Sequence, residues 1–208
     1  QKKYLFCGMA KAALTFWENP PTIEPIYAES GNTEGIFVRM EKCCCFTGHR
    51  PQKLPWGSDE WDWRCVALKE RILLLIRELY REGYRHFITG MALGIDTYCC
   101  EMVLRLKEEH NDVVLEAALP CRSQDSGWSR KDRERYRRLV AQCDLQTLVQ
   151  EAYTRDCMFR RDRYMVSRAE CVIGIYDGVS SGGTRVTLTY ALEQQKEVRL
   201  IDLEDFAS

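Results

Sequence analysis

The stretch from Thr89 to Glu101, TGMALGIDTYCCE, constrains this chain more than any other. Before it, Arg85-His86-Phe87-Ile88-Thr89 has the apolar and β-branched character of a short buried strand. After it, Ile95, Tyr98, Cys99, Met102, Val103 and Leu106 recur at helical spacing. The segment therefore reads as strand, glycine turn and helix N-terminus. Such a junction in a parallel sheet offers a phosphate group backbone N–H donors and the positive end of a helix dipole. Gly90 and Gly94 let the backbone bend and a ligand approach, and Asp96 falls in the first turn, where it caps the helix or takes a ribose hydroxyl.

A second glycine turn follows near the C-terminus. Ala169 to Tyr176 reads as a buried strand closed by Asp177-Gly178, and Ser181-Gly182-Gly183-Thr184 then opens a helix reaching about Gln195. A last strand is expected at Val198 to Ile201. Two such turns in one sheet form two walls of one crevice.

Between and before these lie further periodic segments. A first strand, Cys43 to Phe46, ends in Thr47-Gly48-His49-Arg50-Pro51, at the strand end where open α/β sheets bind ligands. That turn supplies a close backbone approach, a titratable imidazole and a guanidinium that pairs with phosphate. Pro51 to Asp62, with Trp56 and Trp61, followed by Trp63, is an aromatic loop on the same rim, either a lid or a dimer surface. The spacing predicts helices over Trp63–Arg81, ended by Gly83, and over Arg130–Val140, with strands at Val113–Pro120 and Leu145–Val149. The arginines of 130–138 alternate with Asp132 and Glu134 around the helix, which favours a solvated face over a nucleic-acid surface. A further helix spans Arg155 to Arg168, with Met158, Phe159, Met165 and Val166 packing and Arg160, Arg161, Arg163 and Tyr164 toward solvent or ligand.

Three motifs in this order carry a resemblance to a known family. TGMALGID resembles the SGxAxGID signature of the DNA-processing protein DprA, with Thr89 in the serine position. Together with the opening CCCFTGHRP and the late YDG…GGT, it resembles the YpsA-type branch (DUF1273) of the bacterial SLOG superfamily, which joins DprA to the LOG nucleotide hydrolases. The match runs from about Met40 to Leu203. It implies a nucleotide-type ligand held by Thr47, Gly48, His49, Arg50, Gly90, Gly94, Asp96, Asp177, Gly182, Gly183 and Thr184. Arg163-Tyr164-Met165-Val166 matches the pattern RxRYMV of such chains beside the crevice, where arginine and tyrosine suit phosphate pairing and base stacking. LOG hydrolases carry PGGxGTxxE, with a catalytic glutamate. Here Ser181-Gly182-Gly183-Thr184-Arg185-Val186-Thr187 lacks the intervening residue and the glycine after it, and has Thr187 in the glutamate position. Catalysis would rest on Asp96 or Asp177.

The expected architecture is one doubly wound, Rossmann-like α/β domain over residues 40–208 with a mainly parallel sheet. Residues 1–39 form an extension outside the family pattern that packs on the domain surface, with Gly35 to Met40 as an extended edge. At 208 residues and 45% hydrophobic content the chain has enough apolar sequence for one full core. The formal charge of −1 gives no overall pull toward nucleic acid or membrane. No segment approaches the roughly 18 apolar residues of a membrane span, so a cytoplasmic protein is expected. The eleven cysteines include no CxxC pair, which leaves buried thiols in a reducing compartment rather than a metal site.

The leading functional expectation is a binder or sensor of ADP-ribose, NAD or a nucleoside phosphate. A LOG-like phosphoribohydrolase and a DprA-like single-strand DNA binder are the alternatives. A homodimer through the exposed helices and the Trp-rich loop is the partner expected of such a chain, and no other cofactor or metal is called for.

Overall fold

The computed structural model describes residues 41–178 and 182–206. The expected surface packing of residues 1–39, the Gly35–Met40 edge and Ser181 lie outside them. The described residues form six strands and five α-helices in alternation: β1 (Lys42–Gly48), α1 (Trp63–Arg81), β2 (Tyr84–Thr89), α2 (Ile95–Glu109), β3 (Val114–Leu119), α3 (Arg130–Val140), β4 (Leu145–Leu148), α4 (Cys157–Arg168), β5 (Cys171–Tyr176), α5 (Gly183–Glu193) and β6 (Glu197–Asp202). All five strand pairings are parallel, in the order β4-β3-β2-β1-β5-β6. The sheet is thus wholly parallel. The chain winds outward from β1 through β4, then returns to the other side of β1 with β5 and β6. The order reverses between β1 and β5, and that reversal opens a crevice beyond their C-terminal ends.

The helix limits follow from local chemistry. Asp62 accepts a hydrogen bond from the Arg64 amide at 2.9 Å and caps α1, and Gly83, at φ 94°, turns the chain out of the helix end. Ser129 caps α3 by accepting from the Asp132 amide at 3.1 Å.

The sheet is covered on both faces. Cys44 and Phe46 of β1 share a core with Phe87, Leu115, Ile173 and the apolar stripes of α1 and α2. Cys43 and Cys45 point the other way, into a smaller core built with Met165, Val166, Leu188 and Ala191 of α4 and α5. A central strand with a helix layer over each face takes small apolar side chains on both, and β1 uses three thiols. All ten cysteines among the described residues are buried and free. Burial pushes the thiols of Cys44, Cys45 and Cys99 well up from their ordinary range, as expected of packing groups rather than nucleophiles. Among the described residues no helix is long and apolar enough to cross a membrane.

One charged group sits within the sheet on the α4 side. Glu116 of β3 is almost wholly buried. Its carboxylate accepts from Thr147 Oγ1 at 2.6 Å and from Tyr164 Oη at 2.7 Å, and His86 Nε2 lies 2.8 Å away. Burial opposes its charge, but these three neighbours win and hold the carboxyl below its ordinary range. The cluster joins β2, β3, β4 and α4. Replacing Glu116 with Ala leaves His86 and two hydroxyls without their partner, and should cost about 3 kcal/mol of stability; urea denaturation checks this, with Glu116→Gln expected to lose less.

Candidate functional site

The crevice at the switch point encloses about 240 Å³. β1 brings Thr47, Gly48, His49 and Arg50 to its edge, and the start of α5 brings Gly182, Gly183 and Thr184. The turn after β1 adds Lys53, and α4 adds Met158, Arg161 and Asp162. A Cβ on Gly48 would collide with the Ile95 side chain, so glycine lets α2 pack over the end of β1. Gly94, at φ 89°, is the N-cap of α2, and a Cβ there would lie 2.6 Å from the His49 carbonyl. The Ile95 amide donates to that same carbonyl at 3.2 Å. The first N–H of α2 is therefore spent on docking the helix against β1.

The start of α5 is built differently. Its N-cap, Gly182, offers no side-chain cap, and a Cβ added there would lie 3.3 Å from Lys53 Nζ. Gly183 faces open space, with nothing within 4 Å of an added Cβ. Among the helix starts at the crevice, that of α5 has glycine at its first two positions and Lys53 beside it, which is the chemistry of an anion site.

Arg161 lies at the floor. Its guanidinium donates to the Gly90 carbonyl, stands 3.4 Å from Asp96 Oδ2, and brings Nε within 2.7 Å of Asp162 Oδ1. Arg161 and Asp96 are both buried. Asp96 Oδ2 also accepts from the Ala92 amide at 3.3 Å, Thr97 Oγ1 donates to the Ala92 carbonyl at 2.8 Å, and Thr89 Oγ1 donates to the Asp96 carbonyl at 3.0 Å. Gln124 closes the turn by donating to the carbonyls of Gly90 and Met91 at 3.1 Å each. These bonds hold Met91 at φ 53°, where a non-glycine residue seldom rests. A Cβ on Gly90 would strike the Arg161 guanidinium, so this glycine makes room for a protein cation. Burial raises the Asp96 pKa, with Asp162 adding to the rise and Arg161 opposing it. For Arg161, burial works against the charge, but Asp162 and Asp96 outweigh it and hold the guanidinium protonated.

A third feature runs along the opposite wall. His49 Nδ1 is 3.4 Å from Thr184 Oγ1, and its Nε2 is 3.2 Å from Asp177 Oδ1. The imidazole thus links a hydroxyl at the α5 N-terminus to a carboxylate at the end of β5, and the Tyr176 ring packs edge-on against it with centroids 5.7 Å apart.

Of the residues singled out from sequence, Thr47, Gly48, His49, Arg50, Asp96, Gly182, Gly183 and Thr184 line the cavity. Asp177 stands behind His49, Gly90 behind Arg161, and Gly94 in the joint between α2 and β1. Arg163 and Tyr164 lie elsewhere. The Arg163 guanidinium stacks on the rings of Phe159 and Tyr190 at 4.7 and 4.8 Å, and Tyr164 reaches Glu116. Lys53, Met158 and Asp162 stood outside the expected ligand set, and Arg161, expected toward solvent or ligand, is instead buried at the floor of the cavity. For Arg161 a signal was available: it sits four residues from both Cys157 and Met165, and that stripe is buried. An arginine at the centre of an apolar helical stripe is a buried cation in need of carboxylates. Among the described residues no cluster of three or more His, Cys, Asp or Glu side chains is placed to hold a metal ion.

The raised Asp96 pKa has a signed consequence. The folded chain keeps this proton to higher pH than the unfolded chain does, so stability falls as pH rises from about 4 through the folded-state value. Asp96→Asn removes that decline. The stability of the variant relative to the unsubstituted protein should therefore grow from pH 4 to pH 7 in urea denaturation, and a difference independent of pH would contradict this.

Comparison with known proteins fits the motifs to a family. The family model described as the YspA SLOG family matches residues 44–206, which contain every strand but the first residues of β1 and all of the crevice. The SPbeta prophage-derived protein YoqJ of Bacillus subtilis is 34% identical over 139 residues, covering 61% of this chain and 81% of YoqJ. A UPF0398 protein of Halalkalibacterium halodurans is 26% identical over 145 residues, 67% of this chain and 75% of its own length. A UPF0398 protein of Bacillus licheniformis is 24% identical over 163 residues, 75% and 86% of the two chains. With the fold, both glycine turns and the GHR turn of β1 inside the matched region, the chain belongs to the YpsA family of SLOG proteins.

Proposed function

We propose that this chain binds a nucleotide or nucleotide-derived ligand, of the ADP-ribose, NAD or nucleoside phosphate type, in the crevice between β1 and β5. SLOG membership points to a nucleotide-related role. The observation that carries the reading is the α5 N-terminus. Gly182 and Gly183 open the helix without a side chain to cap it, at the topological switch point, with Lys53, Arg50 and His49 on the surrounding walls. A helix dipole with the Lys53 and Arg50 cations beside an uncapped helix start favours a phosphate. On the floor, Asp162 presents more of its carboxylate than Asp96, with side-chain exposures of 22% and 9%, and is the better placed to accept a ribose hydroxyl.

A second reading has one specific observation behind it. Thr187 stands where LOG hydrolases carry their glutamate, and its Oγ1 lies 3.1 Å from Asp162 Oδ2 and 3.0 Å from the Gly183 carbonyl. A carboxylate from α4 is thus beside the position that lacks one in the motif. N-glycosidic hydrolysis of a nucleoside monophosphate would use Asp162 as its acid/base group. Binding of single-stranded DNA has less support. On α3, Arg135 is spent on Glu60 and Glu101, Arg137 on Asp125 and Arg130 on Glu134.

Thermal-shift titration with ADP-ribose, NAD and AMP, with free base assayed in the same samples, separates these readings. A ligand present at about a hundred times its dissociation constant adds roughly 2.7 kcal/mol of stability. Gly183→Asp places a carboxylate in the open space at the helix start, where the fold accepts it and the dipole favours it. The expected outcome is an unchanged or slightly raised melting temperature and loss of the ligand-induced shift; undiminished affinity would refute the placement of the phosphate. If base is released, Asp162→Asn should abolish the release while ligand binding persists.

A further inference from the structure

A second cavity lies beside the crevice. Met158, in the first turn of α4, lines the crevice and also lines this second cavity of about 390 Å³, whose other walls are Ser123, Gln124, Ser126 and Tyr153. One side chain thus borders both cavities. At about 240 Å³ the crevice alone falls short of the roughly 300–1,000 Å³ of ordinary small-molecule sites. The second cavity, at about 390 Å³, lies within that range.

The chemistry of the two parts differs. Cations, carboxylates and a helix N-terminus surround the first. Among the described residues, no charged side chain lines the second. It offers two exposed hydroxyls, Ser123 and Ser126, and the Tyr153 ring, which is 64% exposed. An aromatic side chain exposed beside a cavity, with neutral hydrogen-bonding groups around it, suits a flat uncharged heterocycle better than a second phosphate, for which the lining supplies no cation. The cavity is also fixed to the site: Gln124, in its wall, is buried and donates to the carbonyls of Gly90 and Met91 in the turn that Arg161 holds.

We propose that this second cavity is a base subsite, and that the ligand is a diphosphate-linked nucleotide long enough to span both, with its phosphates in the crevice and a purine stacked on Tyr153. The assignment rests on the nucleotide reading of the crevice and narrows it: a ligand ending at its sugar phosphate fills the first cavity only.

Isothermal titration with two probes, ADP-ribose and ribose 5-phosphate, tests it on the full chain and on Tyr153→Ala, Tyr153→Phe and Gly183→Asp. Loss of a base–aromatic stack weakens binding by roughly 5- to 150-fold. Tyr153→Ala should lose affinity for ADP-ribose in that range and keep its affinity for ribose 5-phosphate, Tyr153→Phe should retain both, and Gly183→Asp should lose both. Equal ADP-ribose affinity in the unsubstituted chain and Tyr153→Ala, with Gly183→Asp still inactive, overturns the base subsite and leaves the phosphate site standing. Equal losses for both probes in Tyr153→Ala also overturn it, because the tyrosine then acts on the fold rather than on the base. If the unsubstituted chain binds neither probe, the subsite is overturned, and if it also shows no thermal shift with NAD or AMP, the crevice reading falls with it.

Discussion

The guanidinium of Arg161 holds together the parts that make the crevice. It reaches from α4 to the carbonyl of Gly90 in the β2–α2 turn, with Asp96 on one side and Asp162 on the other. Asp162 passes the connection to Thr187 of α5. Three elements from separate parts of the chain thus depend on one buried cation. A charge taken out of water is costly unless it is paired, and here two carboxylates flank the guanidinium while one of its terminal nitrogens donates to a carbonyl. The arrangement is also asymmetric. Removing Arg161 would leave two neighbouring carboxylates in a buried site, which disfavours the ionised form of one of them.

The same logic governs the rest of the molecule. On the α4 side of the sheet, Glu116 draws β2, β4 and α4 together through His86, Thr147 and Tyr164. On the α1 side, Glu60 and Glu101 converge on Arg135 and Lys69, tying the loop after β1 to α1, α2 and α3. The apolar layers supply most of the burial, and these polar junctions set the helices at fixed places over it. That fixity matters at the crevice, where Gly48 and Gly90 allow contacts that a methyl group would forbid.

What could be read from the residues alone was the part written locally. Helices α1 and α3 begin and end where their caps and periodicity place them, at Trp63 and Arg81 and at Arg130 and Val140. Both glycine turns lie at strand ends, and eight of the residues expected at the ligand site border one cavity. The rest was set by partners remote in sequence. Arg135 sits on a helix that reads as a solvated face, and only the fold brings Glu60 and Glu101 to it. Gly90 reads as a glycine kept for a ligand, whereas the group packed against it is a side chain 71 residues away. Arg163 and Tyr164 differ from Arg161 by only two and three positions, yet at about 100° per residue these steps turn them onto other surfaces of α4.

The strand order bears on when this protein becomes a protein. β1 pairs early in the chain with β2, but its other edge stays open until β5 arrives, with Cys44 beside Cys171 and Gly48 beside Ile175. Closing that pairing means joining segments at opposite ends of the domain, which makes it a late and slow event compared with the local helices. Both walls of the crevice hang on it, since His49 follows β1 and Asp177 follows β5. A chain without β5 and β6 keeps four of the six strands but lacks one wall of the crevice. The crevice itself is then assembled only once the two ends of the domain have come together.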